Sequence, residues 1–259
     1  MYKLLSSLVL SAVLLIFGTG SQLGNPQVAP SEMSSLQALK QKVVSQLQKQ
    51  IPEIQVDYDG NKTELSEKIA DVLKEAIADN DYIAYIVDSY FYTVRTWGAS
   101  AKIKVNVTYR ESAQQTAKVE QMIDRLLPKI VTKKMSDKEK VKAIHDWVVR
   151  NLAYDASLSR YTAYEALTEG TAVCQGYSLL VYRMLEKSGI ENRIIEGEVD
   201  TGSHVWNLVK LDDRWYHVDA TWDDPTPDKP GKVSYTYFLK NDQQMKKDHT
   251  WTKSYPAAK

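Results

Sequence analysis

The chain has a single cysteine, Cys174, and no excess of charge of either sign. One thiol cannot form an internal disulfide, which excludes a small disulfide-stapled fold. The 33 basic and 33 acidic side chains cancel, so composition gives no support to nucleic-acid binding, which needs a basic excess or stripe. Hydrophobic residues make up 43% of the 259 residues, which is ordinary for a globular protein and excludes a disordered or fibrous chain.

The sequence also lacks an apolar run of the roughly 20 residues that a comfortable membrane span requires. A shorter run covers residues 4–17, broken by three serines, after the basic Lys3 and before small residues at 18–20. This pattern predicts an export signal over residues 1–20. The protein is therefore expected to be secreted or extracytoplasmic, and association with the cell envelope is one such location. A retained amino-terminal anchor and a buried core helix are the alternatives. No membrane span is expected after cleavage of the signal.

Beyond the signal, the chain divides by pattern into a linker over residues 21–35, an α+β region over 36–132 and a second domain over 133–259. The linker is rich in Gly, Pro and Ser. Apolar residues at helical spacing and one β-branched, aromatic stretch then predict the elements of the first region. These are helices over 36–50, 65–78 and 113–130, and a hairpin over 90–109.

Two capping boxes open helices in the second domain. Ser136 stands three residues before Glu139, and Thr162 stands three before Glu165. His145 lies on the apolar stripe of the first of these helices. A histidine in such a stripe is more often a satisfied core residue than a catalyst, so we favour the core interpretation.

The next helix carries Cys174. The sequence predicts Thr171 as its N-cap, Cys174 as its third residue and Gly189 as its stop. Thiolate is the reactive form of cysteine, and the start of a helix favours negative charge, so the position is suited to a nucleophile. A small buried hydrophobe is the alternative, because free cysteine usually behaves that way.

Strands over residues 193–199, 204–211 and 214–222 follow. If Asp212 and Asp213 form a two-residue turn, Trp206 lies opposite Asp219. His204 then shares a face with Asp219 as its diagonal neighbour, within reach of its side chain. The parity therefore supports a base–carboxylate pair, and a solvated polar face is the alternative.

The same parity admits a metal site. His217 lies on the face of His204 and Asp219, so these three residues and Cys174 are a possible ligand set. The spacing matches no common zinc signature and offers one thiolate, so we expect no metal.

Taken together, the segments VCQGYSLLVYRMLEKSGI, HVWNLV and WYHVDATWDDP resemble the bacterial transglutaminase-like superfamily. Upstream, EKVKAIHDWVVRNLAYD resembles the helix that precedes the cysteine in that family. The resemblance covers about a third of the chain, residues 138–225. It implies a papain-like α+β fold, with a cysteine-bearing helix against an antiparallel sheet and a small α+β region before it.

The resemblance also implies roles for residues. Cys174 matches the family's nucleophile, His204 its base and Asp219 the carboxylate that orients the base. Gln175, Gly176, Trp206 and Asn207 match neighbouring positions expected to bind substrate or shape its channel.

These roles imply a thiol enzyme that transfers an acyl group from a protein or peptide carbonyl, by transamidation, deamidation or proteolysis. No cofactor is expected, since the acidic loop of the calcium-using animal members is not apparent. A non-catalytic binding or envelope scaffold module that keeps the fold is the alternative, although all three residues are present.

Overall fold

The computed structural model describes residues 36–225, 229 and 231–259, together with the backbone of strand β1 (Val13–Phe17). The predicted signal (1–20) and linker (21–35) otherwise lie outside the described residues. The described chain divides between Arg110 and Glu111 into two compact units. None of the described helices is long and apolar enough to cross a bilayer.

The amino-terminal unit is a four-stranded sheet with helices. In chain order its further elements are α1 (Leu36–Gln48), β2 (Glu53–Tyr58), α2 (Lys62–Ile77), α3 (Asp81–Ile86), β3 (Val87–Trp97) and β4 (Ser100–Tyr109). The strand order is β1-β3-β4-β2, with β1 parallel to β3 and the other pairs antiparallel. Alternate residues of β2 are buried, as expected of a sheet with one face covered. The predicted hairpin and two helices are confirmed, whereas β2 and α3 were not predicted.

The carboxy-terminal unit packs helices on an antiparallel sheet. Its elements are α4 (Ala113–Ile130), α5 (Asp137–Asn151), β5 (Ala153–Tyr154), α6 (Ala163–Glu169), β6 (Thr171–Ala172), α7 (Cys174–Lys187), β7 (Asn192–Val199), β8 (Gly202–Leu211), β9 (Arg214–Val218), β10 (Phe238–Lys240) and α8 (Asp242–Met245). The sheet order is β10-β9-β8-β7, and α7 packs against β7 and β8. The predicted α+β class, with a cysteine-bearing helix on an antiparallel sheet, is confirmed.

Helix α4 belongs to this second unit, although the sequence placed it before a boundary at residue 132. It buries Val119, Ile123 and Leu127 and packs against α6 and α7. An amphipathic helix belongs to the unit against which its apolar face packs. The spacing of its apolar residues shows that such a face exists but does not show which unit it contacts. The division between the units therefore lies 22 residues earlier than predicted, at 110/111 instead of 132/133.

The start of α7 also differs from the prediction. Thr171 does not cap this helix, because it lies in β6 and pairs with Ala153 of β5. Val173 is the N-cap residue and makes no side-chain capping bond, so Cys174 is the first residue of α7 and not the third. Both capping boxes predicted upstream, at Ser136 and Thr162, are confirmed.

The register of the β8–β9 hairpin is as predicted. Leu211 pairs with Arg214, and Asn207 pairs with Val218. Asp212 and Asp213 both have positive φ, 49° and 58°, which is the conformation of a two-residue turn that matches the twist of the strands. Asp219 therefore follows β9 directly, one residue after the last pair.

Candidate active site

Three segments bring Cys174, His204 and Asp219 together. Cys174 opens α7, His204 is the third residue of β8, and Asp219 follows β9. The His204 Nε2 atom lies 2.7 Å from Asp219 Oδ2. Cys174 is close enough to raise the pKa of His204, and because Nε2 faces Asp219, the ring nitrogen left for the sulfur is Nδ1.

Helix α7 is tied to β8 one turn after the cysteine. The Ser178 hydroxyl donates to the Val205 carbonyl at 3.0 Å. The Asn207 side chain returns a bond to the Ser178 carbonyl at 3.1 Å. Both bonds are buried, and a buried donor or acceptor that loses its partner destabilises the fold. These bonds therefore hold the start of α7 against the strand that carries His204.

The carboxylate of Asp219 is fully surrounded by donors. Its Oδ1 atom accepts from the backbone N–H groups of Thr221 at 3.0 Å and Trp222 at 3.1 Å. Its Oδ2 atom faces His204 at 2.7 Å and a second imidazole, His249 Nε2, at 3.1 Å. Sequence reasoning missed His249, and the signal that it offered was its being one of only four histidines in the chain.

The electrostatics of the pair favour a charged ring and a charged carboxylate. Burial is the largest influence on His204 and lowers its pKa. The charge and hydrogen bond of Asp219, followed by those of Cys174, outweigh burial and raise the pKa of His204 to about 10. Burial acts to raise the pKa of Asp219, but the charge and hydrogen bond of His204, and then those of His249, hold that pKa well below its usual range.

A pH dependence of stability follows from the raised pKa of His204. The folded protein holds this proton more tightly than the unfolded chain, so protonated His204 stabilises the fold. This stabilisation is complete below about pH 6.5 and is lost as pH rises through about 10. Between these limits, we expect the free energy of unfolding to fall more steeply for the wild type than for His204→Gln. Urea titrations followed by tryptophan fluorescence at several pH values measure both slopes, and parallel slopes would contradict the expectation.

Aromatic rings enclose the imidazole of His204. The Trp206 ring stacks near it, with centroids 5.8 Å apart and planes at 18°. The Trp222 ring lies at 5.9 Å and that of His249 at 5.6 Å. Because His204 is only 5% exposed, these rings leave it little freedom to turn away from Asp219.

The loop between β5 and α6 forms the surroundings of Cys174 on the helix-start side. The Val173 N–H donates to the Arg160 carbonyl at 2.9 Å. Buried Asp155 organises the loop by accepting from the backbone N–H groups of Ser157 and Ser159. Burial, followed by the electrostatic influence of Cys174, raises the pKa of Tyr154 to about 12, so this exposed side chain stays protonated beside the thiol.

The predicted substrate-binding residues differ in exposure. Trp206 is fully buried and Asn207 nearly so, and both make packing or hydrogen-bond contacts inside the protein. A Cβ on Gly176 would lie 2.6 Å from the Ala172 side chain, so internal packing accounts for this glycine. Gln175 is partly exposed. A substrate-binding role for the four stays a prediction.

The other two histidines have partners of their own. His217 accepts from the Trp206 indole at 2.9 Å and faces Asp242 at 2.9 Å, so it does not join the ligand set considered from the sequence. His145 is buried, with Asp223 at 3.1 Å and Asp146 at 3.4 Å, as a satisfied core residue.

Among the described residues, one group of possible metal ligands comes together: His204, Asp219 and His249, with ligand atoms within 4.8 Å. The separations of 2.7 and 3.1 Å are those of hydrogen bonds. Two ligands each about 2.0–2.1 Å from a tetrahedral zinc stand about 3.3 Å apart. As arranged, both imidazoles bond to the Asp219 carboxylate.

Comparison with known proteins gives a family match over part of the chain. The sequence model of the Transglutaminase-like superfamily matches residues 124–220. Kyphoscoliosis peptidase of Homo sapiens is 28% identical over 129 residues, which are 43% of this chain and 19% of that protein. The Mus musculus protein of the same name is 27% identical over 132 residues, with the same two shares. The match thus spans about a fifth of the length of these relatives.

Among solved structures, the fold is similar to that of a TGase, with a TM-score of 0.39 and 13% identity over 64% of this chain and 50% of the other. The family match contains the start of α7, the β8–β9 hairpin and Asp219, and it ends before His249. Residues 124–220 of the carboxy-terminal unit are therefore similar to the transglutaminase-like superfamily.

Proposed function

We propose that this protein is a thiol-dependent acyl-transfer enzyme that acts on protein carboxamide or peptide bonds. Cys174 is the nucleophile, His204 its base and Asp219 the group that orients the base. The observation that carries the proposal is the arrangement of one imidazole, with Nε2 held by a buried carboxylate at 2.7 Å and its other nitrogen left for the sulfur. A nucleophile, a base and a group that holds the base are the parts that such catalysis requires.

The reaction proceeds in two balanced halves. The thiolate of Cys174 attacks the carbonyl carbon, and protonated His204 gives its proton to the departing amine as the C–N bond breaks. The thioester that remains is attacked by an amine or water, whose proton passes to His204 as the C–S bond breaks. An amine gives transamidation, and water gives deamidation or peptide cleavage.

The start of α7 is suited to the charge that develops on the carbonyl oxygen. Cys174 is the first residue of a 14-residue helix, and the N-cap Val173 contributes no side-chain bond there. Backbone N–H groups of a first helical turn carry partial positive charge and favour an anion. We assign them as the donors to the oxyanion, a contribution that is often the largest in acyl transfer.

Two considerations bear on the class of substrate. Export by the signal over residues 1–20 gives access to secreted proteins or proteins of the cell envelope. Two relatives carry the name kyphoscoliosis peptidase, which supports cleavage of a peptide bond as one of the outcomes that the chemistry allows. We propose no metal or other cofactor, because the mechanism needs only the three side chains and backbone donors.

The experiment that tests the proposal is mass spectrometry of glutamine-containing peptides incubated with the protein, with and without a primary amine. Amine incorporation with loss of ammonia indicates transamidation, conversion of the amide to an acid indicates deamidation, and backbone cleavage indicates a peptidase. Cys174→Ala is the matched control. If peptides change equally with both proteins, and no acyl adduct forms on Cys174, the proposal fails.

One observation favours a second candidate, a non-catalytic binding module. Cys174 is 8% exposed and His204 5% exposed, so the site is nearly closed. Binding at another surface would not need access to the thiol. Cys174→Ser separates the two functions, because an enzyme loses activity and keeps partner binding, whereas a binding module shows no difference.

A further inference from the structure

His249 reaches the site through a contact between the carboxy-terminal segment and β7. Thr250 and Glu198 exchange backbone hydrogen bonds of 2.8 and 2.9 Å. Gly197, which pairs with His204 across the sheet, permits this approach, because a Cβ there would lie 2.0 Å from the Thr250 carbonyl oxygen. The residue directly before Thr250 is thereby placed beside His204.

The ring of His249 is held between two carboxylates. Its Nε2 atom lies 3.1 Å from Asp219 Oδ2, and its Nδ1 atom lies 2.7 Å from Asp248 Oδ1. A carboxylate oxygen accepts and does not donate, so both contacts are satisfied only when both ring nitrogens carry hydrogen. Two carboxylate acceptors therefore face the two nitrogens of this one ring.

The surroundings keep this ring in place. His249 is fully buried, with the rings of Trp222 at 4.6 Å, Trp206 at 5.0 Å and Tyr237 at 5.2 Å. The Tyr237 hydroxyl donates to the other oxygen of Asp248 at 2.7 Å, which fixes the second carboxylate. A ring so enclosed cannot leave Asp219 without disturbing the packing around the site.

We propose that His249 is a positioning residue of the active site, which holds Asp219 in place and sets the pH range over which the Cys174–His204 pair is reactive. The inference rests on the proposed function. His204 and His249 share one carboxylate oxygen, and their ring centroids are 5.6 Å apart. Their positive charges repel each other, so His249 limits how firmly His204 holds its proton.

The charged and titratable groups around His249 come from several elements. Asp219 follows β9, His204 lies on β8, and Asp248 adjoins His249 in the chain. Tyr237 contacts the ring from the segment before β10, and His217 on β9 interacts with it electrostatically. Asp219 and Asp248 are the acidic groups that contact this ring, and His204 is the basic group nearest to it. The family match ends at residue 220, so this second imidazole is supplied from outside the matched segment.

The test is the pH dependence of Cys174 alkylation by iodoacetamide, followed by intact mass in the full-length chain. His249→Gln removes the charge while keeping an amide donor. Loss of a nearby positive charge favours the protonated form of every neighbouring group, so the whole profile should move to higher pH by about one unit. His217→Asn is the matched control, since it removes a buried imidazole of the same sheet that makes no bond to Asp219.

The outcomes separate this inference from the proposed function. If the wild type and His204→Ala are alkylated at the same rate, the proposed function fails. If alkylation depends on His204 but folded His249→Gln has the wild-type profile, only the role of His249 is overturned. Should that variant not fold, nitrogen NMR of the ring in the wild type decides: two protonated nitrogens at about pH 7 are expected, and a neutral ring would overturn the inference.

Discussion

Replacing His204 with alanine is expected to slow the alkylation of Cys174 at about pH 6 by about tenfold or more. Acyl transfer should fall by roughly 10²–10⁴-fold, the usual contribution of a positioned acid–base group. The physical reason is that protonated His204 stabilises a thiolate beside it, and thiolate is the reactive form. Iodoacetamide labelling measured by intact mass gives the first quantity, and peptide turnover gives the second.

A matched control is available on the neighbouring strand. His217→Ala removes another buried histidine, which bonds to Trp206 and Asp242, and it should leave the labelling rate within about twofold of the wild type, as expected where no contact is made with the thiol. Because Cys174 is the sole cysteine, each adduct reports this one site. Equal labelling of the wild type and His204→Ala at this pH would contradict the ion pair.

Replacing Asp219 with alanine is expected to destabilise the carboxy-terminal unit by about 3–5 kcal/mol, because breaking a buried ion pair leaves its partner charge uncompensated. Two imidazoles and two backbone N–H groups lose their acceptor in this variant. Activity should fall with stability, since nothing then orients His204. Urea unfolding followed by tryptophan fluorescence is a suitable measurement, because five of the six tryptophans lie in residues 111–259.

Two asparagine variants separate charge from packing. Asp219→Asn keeps the volume and one acceptor, so it should destabilise less than alanine while still impairing catalysis by favouring the wrong imidazole tautomer. Asp213→Asn makes the same change in the exposed hairpin turn, where the side chain is 98% accessible, and it should alter stability by no more than about 0.5 kcal/mol. If Asp219→Ala were as mild as Asp213→Asn, the Asp219 carboxylate would not anchor the two imidazoles.

The β8–β9 hairpin shows how far sequence could predict the site. A two-residue turn at Asp212 and Asp213 sets the register, and a register sets the face of every side chain. His204 and Asp219 meet at 2.7 Å as that parity requires. The prediction succeeded because it used only local features, namely the two turn residues and the alternation of side chains between the two faces of a strand.

The start of α7 and the boundary between the units show where such reasoning fails. Thr171 has good capping chemistry, yet its backbone pairs with β5 and the helix begins at Cys174. Helix α4 was predicted with its full extent, Ala113–Ile130, but was assigned to the wrong unit. In both cases the structure is decided by a contact with a segment that is distant in the sequence. Local sequence preferences carry no information about such a contact.

By itself, the sequence determined the α+β class, most of the described helices, the strands β3, β4 and β7–β9, and the register of the β8–β9 hairpin. It also determined the candidates Cys174, His204 and Asp219, because periodicity, capping and turn chemistry act over a few residues. Only the tertiary structure decided that His249 joins Asp219. That contact depends on a glycine opposite His204 and on the pairing of Thr250 with Glu198, 52 residues away. No local pattern encodes such an approach, since it arises from the packing of the carboxy-terminal segment against β7.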